Sequence, residues 1–170
     1  MQGSIKIASL NCQGLGNMKK RRDIFHYLKQ KAFSIYCLQD THFDPKLESY
    51  VKSEWGYKCY FASFKSNARG VAVLFNNNFE FKIKNVEQDP NGNYLIISFS
   101  AMDKELLLVN VYGPNRDSPH FYHKLQQCIE AYENHNIIAV GDWNLVMNPE
   151  QDYDNYKHVN NPNSTQALQK

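Results

Sequence analysis

The sequence lacks any apolar run long enough to cross a membrane, and it lacks a strong net charge. Its longest apolar runs are short blocks such as residues 71–75, whereas a membrane-spanning helix needs roughly 20 apolar residues. The 19 Lys and Arg residues nearly balance the 17 Asp and Glu residues, and the formal net charge is +2. The composition therefore argues against a membrane protein and against a general polycation, while it allows a local basic site.

Cysteine motifs are also absent, although the chain has Cys12, Cys37, Cys59 and Cys128. No two of them form a Cys-x-x-Cys pair and no histidine stands at zinc-ligand spacing, which argues against a zinc site and a disulfide framework. We expect four buried free thiols. A secretion signal has a charged segment followed by a long apolar one, and the first ten residues show no such pattern. We expect an intracellular, nuclear protein.

The residues that are present can build one sizeable core. Of the 170 residues, 42% are hydrophobic, and 11 Tyr, 10 Phe and 2 Trp are among them, which excludes a disordered chain. The length predicts a single domain. We place that domain at residues 1–150, and we interpret residues 151–170 as a polar tail, because apolar residues become scattered after residue 148.

The order of the apolar patterns predicts a mixed α/β fold. Alternating or continuous apolar residues predict strands near 4–10, 34–38, 57–62, 70–75, 79–83, 94–100, 105–111 and 137–140. Helical spacing predicts helices at 18–31, at 47–55 and from Pro119, with Asn17 and Ser118 as N-caps. The short connections in the middle of the chain predict antiparallel strand neighbours.

Four of the predicted strands run directly into polar residues. These strand ends carry Asn11, Asp40, Tyr112 and Asp142. Asp142 and Asn144 are two residues apart and share a face of extended chain, and Gly141 permits a close backbone approach. If the four ends converge, their carboxylates, amides and phenol suit a hard cation and a phosphate. No serine or cysteine has the His and Asp partners of a nucleophilic triad.

The ordered motifs resemble the endonuclease/exonuclease/phosphatase superfamily. They are SLNCQGL at 9–15, LQDTH at 38–42, NVYGPN at 110–115 and GDWN at 141–144. KRR at 20–22, RGVAVLF at 69–75 and DPNG at 89–92 make the chain most similar to the apurinic-like endonuclease domain of LINE-type retrotransposons. The resemblance covers residues 5 to about 155.

This resemblance implies a four-layered α/β sandwich that cleaves DNA phosphodiesters with Mg²⁺ or Mn²⁺. It implies that Asp40 is a metal ligand and that Asn11 helps to hold the metal-site network. Tyr112 would contact the scissile phosphate, Asp142 would orient or deprotonate the attacking water, and Asn144 would hold phosphate or water. These roles are chemically consistent, because neutral donors and a metal stabilise the developing phosphate charge while a carboxylate accepts the proton.

A second set of residues is expected to contact the DNA backbone. It consists of Asn115, Lys20, Arg21 and Arg22. The three cations fall in the first turn of a predicted helix, where they oppose the helix dipole. A bound phosphate backbone would offset that cost.

Several departures from the family pattern shape the functional hypotheses. Gln13 stands where repair-type members have Asp, which favours the retrotransposon branch, and Asp40 is one methylene shorter than the usual Glu. The family's late Asp and Ser-Asp-His motif has no counterpart in the 170 residues. We therefore expect the final third of the fold to be missing, DNA cleavage to be weak or absent, and the exposed edge to allow self-association.

Alternatives to a retrotransposon-type endonuclease remain open at this point. Within the fold, the chain could be an abasic-site endonuclease, a 3′-exonuclease of the repair type, or a phosphatase. From a different class, it could be a non-catalytic remnant that binds DNA or a protein partner.

Overall fold

The computed structural model of the protein describes residues 4–147 and 161–169. Its described residues fall into two compact units. The first unit comprises those within Met1–Tyr112 and His135–Asp142, and the second comprises those within Gly113–Asn134 and Trp143–Lys170. In this described part, no helix is both long enough and apolar enough to span a bilayer.

The first unit is built on two four-stranded mixed sheets. One sheet has the order β1-β2-β4-β3, from β1 (Ile7–Asn11), β2 (Ile35–Gln39), β3 (Cys59–Ala62) and β4 (Val71–Phe75). The other has the order β5-β6-β7-β8, from β5 (Lys82–Gln88), β6 (Tyr94–Ala101), β7 (Lys104–Tyr112) and β8 (Asn136–Asp142). The β1–β2 and β7–β8 pairs are parallel and the remaining pairs are antiparallel.

The two sheets bury their facing sides against each other. Alternate side chains of β4 pack with alternate side chains of β6, namely Val71, Val73 and Phe75 with Leu95, Ile97 and Phe99. The opposite side of the first sheet is covered by α1 (Met18–Lys31) and α2 (Glu48–Trp55). Because both of its faces are covered, β4 reads as a continuous apolar run rather than an alternating one. The mixed α/β sandwich predicted from the sequence is confirmed.

Helix α1 has the bounds and the N-cap that the sequence predicts. The Asn17 side chain accepts a hydrogen bond from the Lys20 N–H at 3.0 Å, which satisfies one of the free donors of the first turn. The helix ends at Lys31, and Ala32 then adopts a left-handed conformation. Strand β5, by contrast, begins at Lys82, later than predicted.

The late start of β5 follows from aromatic packing. The Phe81 ring stacks on Phe75 with 4.0 Å between ring centroids, and Phe79 stacks on Phe81 at 5.4 Å. These two half-buried rings are held by stacking rather than by strand pairing, although their alternation with Glu80 and Lys82 is typical of a strand.

All four cysteines are free, as predicted, and three of them are buried, but Cys128 is only half-buried, so the prediction of four buried thiols is wrong for that residue. Burial raises the pKa of Cys12 to about 12 and that of Cys59 to about 11. Cys37 is fully buried, and burial likewise raises its pKa. These three thiols therefore stay protonated at neutral pH and are poor nucleophiles.

The second unit contains α3 (Pro119–Glu130) and α4 (Pro162–Leu168). Pro119 occupies the first turn of α3 as predicted, but the Ser118 side chain makes no capping hydrogen bond. Instead, the Ser118 N–H donates to Ser164 Oγ at 2.6 Å. The backbone of Ser118 is thus bonded to the Ser164 hydroxyl of α4, and its side chain does not cap α3.

Candidate active site

The two parallel strand pairs of the first unit bring four of the predicted site residues to strand ends. Asn11 lies opposite Gln39 at the end of the β1–β2 pair, and Asp40 follows directly. Tyr112 lies opposite Asp142 at the end of the β7–β8 pair. Parallel neighbours finish at the same edge of a sheet, which is where open α/β sheets carry their sites.

One side-chain hydrogen bond joins these two strand ends across the sheets. Asn11 Nδ2 donates to Asp142 Oδ2 at 2.6 Å, and Asn11 Oδ1 accepts the Gln13 N–H at 3.2 Å. Gly141 makes the approach of β8 to β7 possible: its φ is +144°, and a Cβ there would lie 2.0 Å from the Val111 carbonyl oxygen. The Asp142 carboxylate is therefore oriented by a neutral donor whose own orientation is fixed by the backbone.

Asp40 is paired with a histidine to which sequence reasoning assigned no function. Asp40 Oδ1 lies 2.9 Å from Nε2 of His42, and the Asp40 side chain is 16% exposed. The His42 ring packs over Gly14, where a Cβ would lie 2.8 Å from Nδ1. The pair leaves Asp40 Oδ2 without a hydrogen-bond partner among residues 4–147 and 161–169. His42 lies within the LQDTH motif, but the motif alone does not show this contact.

Tyr112 is braced by the turn between β5 and β6. The Tyr112 N–H donates to the Asn93 carbonyl at 2.6 Å, and Asn93 Nδ2 donates to the Tyr112 carbonyl at 2.7 Å. The Asn93 N–H in turn donates to Oδ2 of buried Asp89 at 2.9 Å. This clamp fixes the backbone from which the Tyr112 side chain projects.

A buried amide pair lies beneath these residues. Gln39 Nε2 donates to Asn110 Oδ1 at 2.7 Å, and Asn110 Nδ2 donates to the carbonyls of Leu38 and Ala72 at 3.0 and 2.9 Å. Both side chains are almost completely inaccessible to solvent. Asn110 could have been noticed in the sequence, because it is a polar residue inside the apolar run of β7.

The basic residues of α1 are not equally available for the predicted contact with a DNA backbone. Arg21 is only 3% exposed, forms a two-pronged ion pair with Glu54, and donates to the carbonyls of Leu15 and Gly16. Its hydrogen bond lowers the pKa of the Glu54 carboxyl. Arg21 is thus occupied in holding the loop before α1, which leaves it unavailable to a phosphate.

The two neighbouring cations are less enclosed. Lys20 Nζ donates to the carbonyls of Cys12 and Gln13 at 2.8 and 3.1 Å, which supports the loop that follows β1. The Arg22 side chain is 63% exposed and lies 3.6 Å from Glu54. Of the three predicted DNA contacts on α1, Lys20 and Arg22 are exposed and Arg21 is buried.

Asn144 and Asn115 lie in the second unit. Asn144 has a left-handed φ of +51°, and its Nδ2 donates to the Gly113 carbonyl at 2.7 Å. This bond ties the segment after β8 to the segment after β7. Asn115 is exposed.

The donor set suits a hard divalent cation bound with few protein ligands. Among the described residues, no three His, Cys, Asp or Glu side chains form a metal cluster. Mg²⁺, however, is usually held by one or two carboxylates and keeps several waters. The second oxygen of Asp40 fits that mode, since Oδ1 alone is used by His42.

The family of this chain follows from its match to a family model. The model of the Endonuclease/Exonuclease/phosphatase family matches residues 8–164. The chain belongs to this family. The resemblance predicted from the motifs is therefore confirmed, and the two mixed sheets are those of a phosphodiesterase or nuclease fold.

Proteins similar to this chain include a transposon protein and the catalytic domain of APE2. The chain is 24% identical over 147 residues to "Transposon TX1 uncharacterized 149 kDa protein" of Xenopus laevis; the match covers 85% of the chain but only 11% of that relative. The Xenopus laevis APE2 catalytic domain is similar with a TM-score of 0.71 and 20% identity, over 96% of this chain and 66% of that one.

Two further solved structures share the fold. An AP endonuclease from Archaeoglobus fulgidus has a TM-score of 0.65 and 18% identity, over 98% of this chain and 69% of that chain. Zebrafish (D. rerio) TDP2, solved in complex with a single-strand DNA product, has a TM-score of 0.61 and 18% identity, over 86% of this chain and 62% of that chain.

Proposed function

We propose that this chain is a DNA endonuclease of the retrotransposon type, which hydrolyses phosphodiesters with a divalent metal. The observation that carries the proposal is the Asn11–Asp142 hydrogen bond, which joins the ends of two parallel strand pairs. The family membership and the transposon relative support the reaction class and the genomic context.

Asp40 and Asn11 are the residues that would hold the metal, because their side chains supply hard oxygen donors at adjoining strand ends. When bound, Mg²⁺ or Mn²⁺ supplies Lewis-acid stabilisation of negative charge on the phosphate. His42 orients Asp40 through the 2.9 Å contact and leaves its second oxygen available to the site.

Asp142 acts as the general base in this proposal. Its carboxylate orients the attacking water and accepts the water proton, while Asn11 keeps the carboxylate in one orientation through Oδ2. Tyr112 donates its phenol to a phosphate oxygen, and its clamp to Asn93 keeps it in place. Asn144 belongs to the second unit, and its contact with phosphate or water stays a prediction from the family resemblance. The water attacks the phosphorus in line with the ester oxygen that leaves, so the new P–O bond replaces the broken one, the leaving oxygen takes up a proton from solvent, and no covalent enzyme intermediate forms.

The test is Mg²⁺-dependent nicking of supercoiled plasmid by the wild type and by Asp142→Asn. We expect EDTA to abolish nicking and Mg²⁺ or Mn²⁺ to restore it. The Asn variant keeps the shape and the acceptor for Asn11 but loses the base, so nicking should fall by about a hundredfold or more. Asp103→Asn, in the exposed β6–β7 turn, is the matched control and should nick like the wild type.

Parallel substrates separate the other functions of the fold. An oligonucleotide with one abasic site tests the repair-type activity, a recessed 3′ end tests the exonuclease, and a generic phosphate monoester tests the phosphatase. Preferential cleavage of one of these over intact plasmid would replace the proposed substrate. Equal nicking by the wild type and Asp142→Asn would show that Asp142 is not the base.

A further inference from the structure

Arg69 is a half-buried cation that has no carboxylate partner in the part of the chain that the structure describes. It lies in the loop between β3 and β4, and none of the ion pairs among the described residues includes it. Its Nη1 lies 3.5 Å from Asn93 Oδ1, and its Cζ lies 5.1 Å from the centroid of the Phe64 ring. The charge is thus held by a ring face and an amide oxygen rather than neutralised.

The backbone of Arg69 is clamped to the segment that follows the candidate metal ligand. The His42 N–H donates to the Arg69 carbonyl at 2.8 Å, and the Thr41 N–H donates to the Gly70 carbonyl at 3.0 Å. Arg69 also has a left-handed φ of +58°, a conformation that persists where the surroundings enforce it. The guanidinium therefore extends from a fixed point beside Asp40.

Asn93 links this guanidinium to Tyr112. Its Oδ1 faces Arg69, while its Nδ2 donates to the Tyr112 carbonyl at 2.7 Å. The acid of the same turn, Asp89, is buried and accepts the Asn93 N–H at 2.9 Å instead of pairing with Arg69. One amide side chain thus separates an unneutralised arginine from the residue that we expect to meet the scissile phosphate.

A second cation shares the same aromatic ring. Lys65 Nζ lies 4.9 Å from the Phe64 centroid, on the loop that carries Arg69. Two positive charges gathered on one ring, with no paired acid among the described residues, create a local potential that attracts an anion. This concentration of charge stands out because the whole chain has a net charge of only +2.

We propose that Arg69, with Lys65 beside it, binds a DNA backbone phosphate next to the one that is cleaved. The inference rests on the proposed function for its substrate. The planar guanidinium suits two-pronged recognition of a phosphate, which an ammonium cannot reproduce. The main phosphate contact then lies on the β3–β4 loop rather than on α1, because Arg21 of α1 is already paired with Glu54.

The experiment measures binding of a short labelled DNA duplex by fluorescence anisotropy in EDTA, so that no cleavage occurs, for the wild type, Arg69→Gln, Arg69→Lys and Lys104→Gln. Lys104 is the control because it is exposed and begins the strand that Tyr112 ends. Arg69→Gln should flatten the slope of log affinity against log salt by about 0.9. The ratio of wild-type affinity to Arg69→Gln affinity should therefore fall roughly threefold between about 50 and 200 mM salt.

Arg69→Lys should keep the salt slope of the wild type but bind more weakly, because it retains the charge and loses the fork. Matching thermal midpoints among the variants show that the fold is intact. Wild-type affinity for Arg69→Gln, an equal loss for Lys104→Gln, or no measurable duplex binding by the wild type at low salt overturns the inference. Because nicking is measured separately, a chain that binds through Arg69 but never nicks refutes only the proposed function.

Discussion

At the scale of single residues, the buried amides of Gln39 and Asn110 hold the two sheets in alignment through hydrogen bonds. Asn110 satisfies two carbonyls of the first sheet while it belongs to the second, so it fixes how the two sheets align. Gln39 directly precedes Asp40 and Asn110 lies two residues before Tyr112. The buried pair therefore sets the register on which the positions of half-buried Asp40 and Tyr112 depend.

Replacing Asn110 with leucine should destabilise the protein by about 2–4 kcal/mol, because two buried carbonyls lose their donor and Gln39 loses an acceptor. Urea unfolding measures this change. Asn136→Leu is the control: its Nδ2 also donates to a backbone carbonyl, that of Glu105, but in an exposed position, and its effect should stay within about 0.5 kcal/mol. Similar losses for the two variants would show that the buried amide has no special weight.

At the scale of elements, α4 is held at its N-terminal end by a carboxylate from another segment. Asp117 accepts hydrogen bonds from the Ser164 N–H and hydroxyl at 2.8 and 2.6 Å and from Asn163 Nδ2 at 2.8 Å. The Ser164 hydroxyl bond is the main cause that lowers the Asp117 pKa below its ordinary value of 3.8. A negative charge here also favours the helix dipole.

The attachment of α4 should therefore weaken as the pH falls and Asp117 becomes protonated. Because the folded-state pKa of Asp117 is lowered, its stabilisation is complete above pH about 3.8 and is lost as pH falls through the folded pKa. Hydrogen exchange of a peptide covering residues 162–168 should accelerate across that window once the intrinsic pH effect is subtracted. Asp117→Asn should flatten the dependence and Asp103→Asn should not. An unchanged acid response in Asp117→Asn would exclude this carboxylate as its source.

Elements were predictable where one physical pattern dominates. The spacing of Phe25 and Leu28 and the cap at Asn17 fixed α1, and the apolar runs fixed β4, β6 and β7. The start of β5 was not predictable, because the stacking of Phe79 and Phe81 depends on a ring from another strand. The ends of β1 and β8 were predictable as polar positions, but their hydrogen bond was not, since no local rule brings residues so distant in sequence together.

At the scale of the whole molecule, each sheet ends in an exposed strand. Among the described residues, β1 pairs only with β2 and β8 pairs only with β7. Both strands carry apolar side chains in solvent, with Leu10 39% and Ile137 53% exposed. Open strand edges of this kind template association with other chains, so we expect this chain to self-associate.

Ile137→Lys should reduce that association, because a lysine on an edge strand opposes edge-to-edge pairing. Sedimentation velocity over a concentration series should give a larger monomer fraction for Ile137→Lys than for the wild type. Tyr50→Lys removes a 69% exposed apolar side chain from helix α2 instead and should leave the association unchanged. A monomeric wild type, or equal relief by both variants, would contradict a role for the β8 edge.

The hydrogen bond between Asn11 and Asp142 also bears on the order in which the chain folds during its synthesis. Its partners are 131 positions apart in the chain, and a ribosome releases the first long before the second. Contacts of such separation form late, because the intervening loop must be closed first. During synthesis the leading segment can fold around β1 and β2 while Asn11 and Asp142 are still apart. Under the proposed function, a nascent chain would therefore become able to cleave DNA only after β8 has emerged from the ribosome.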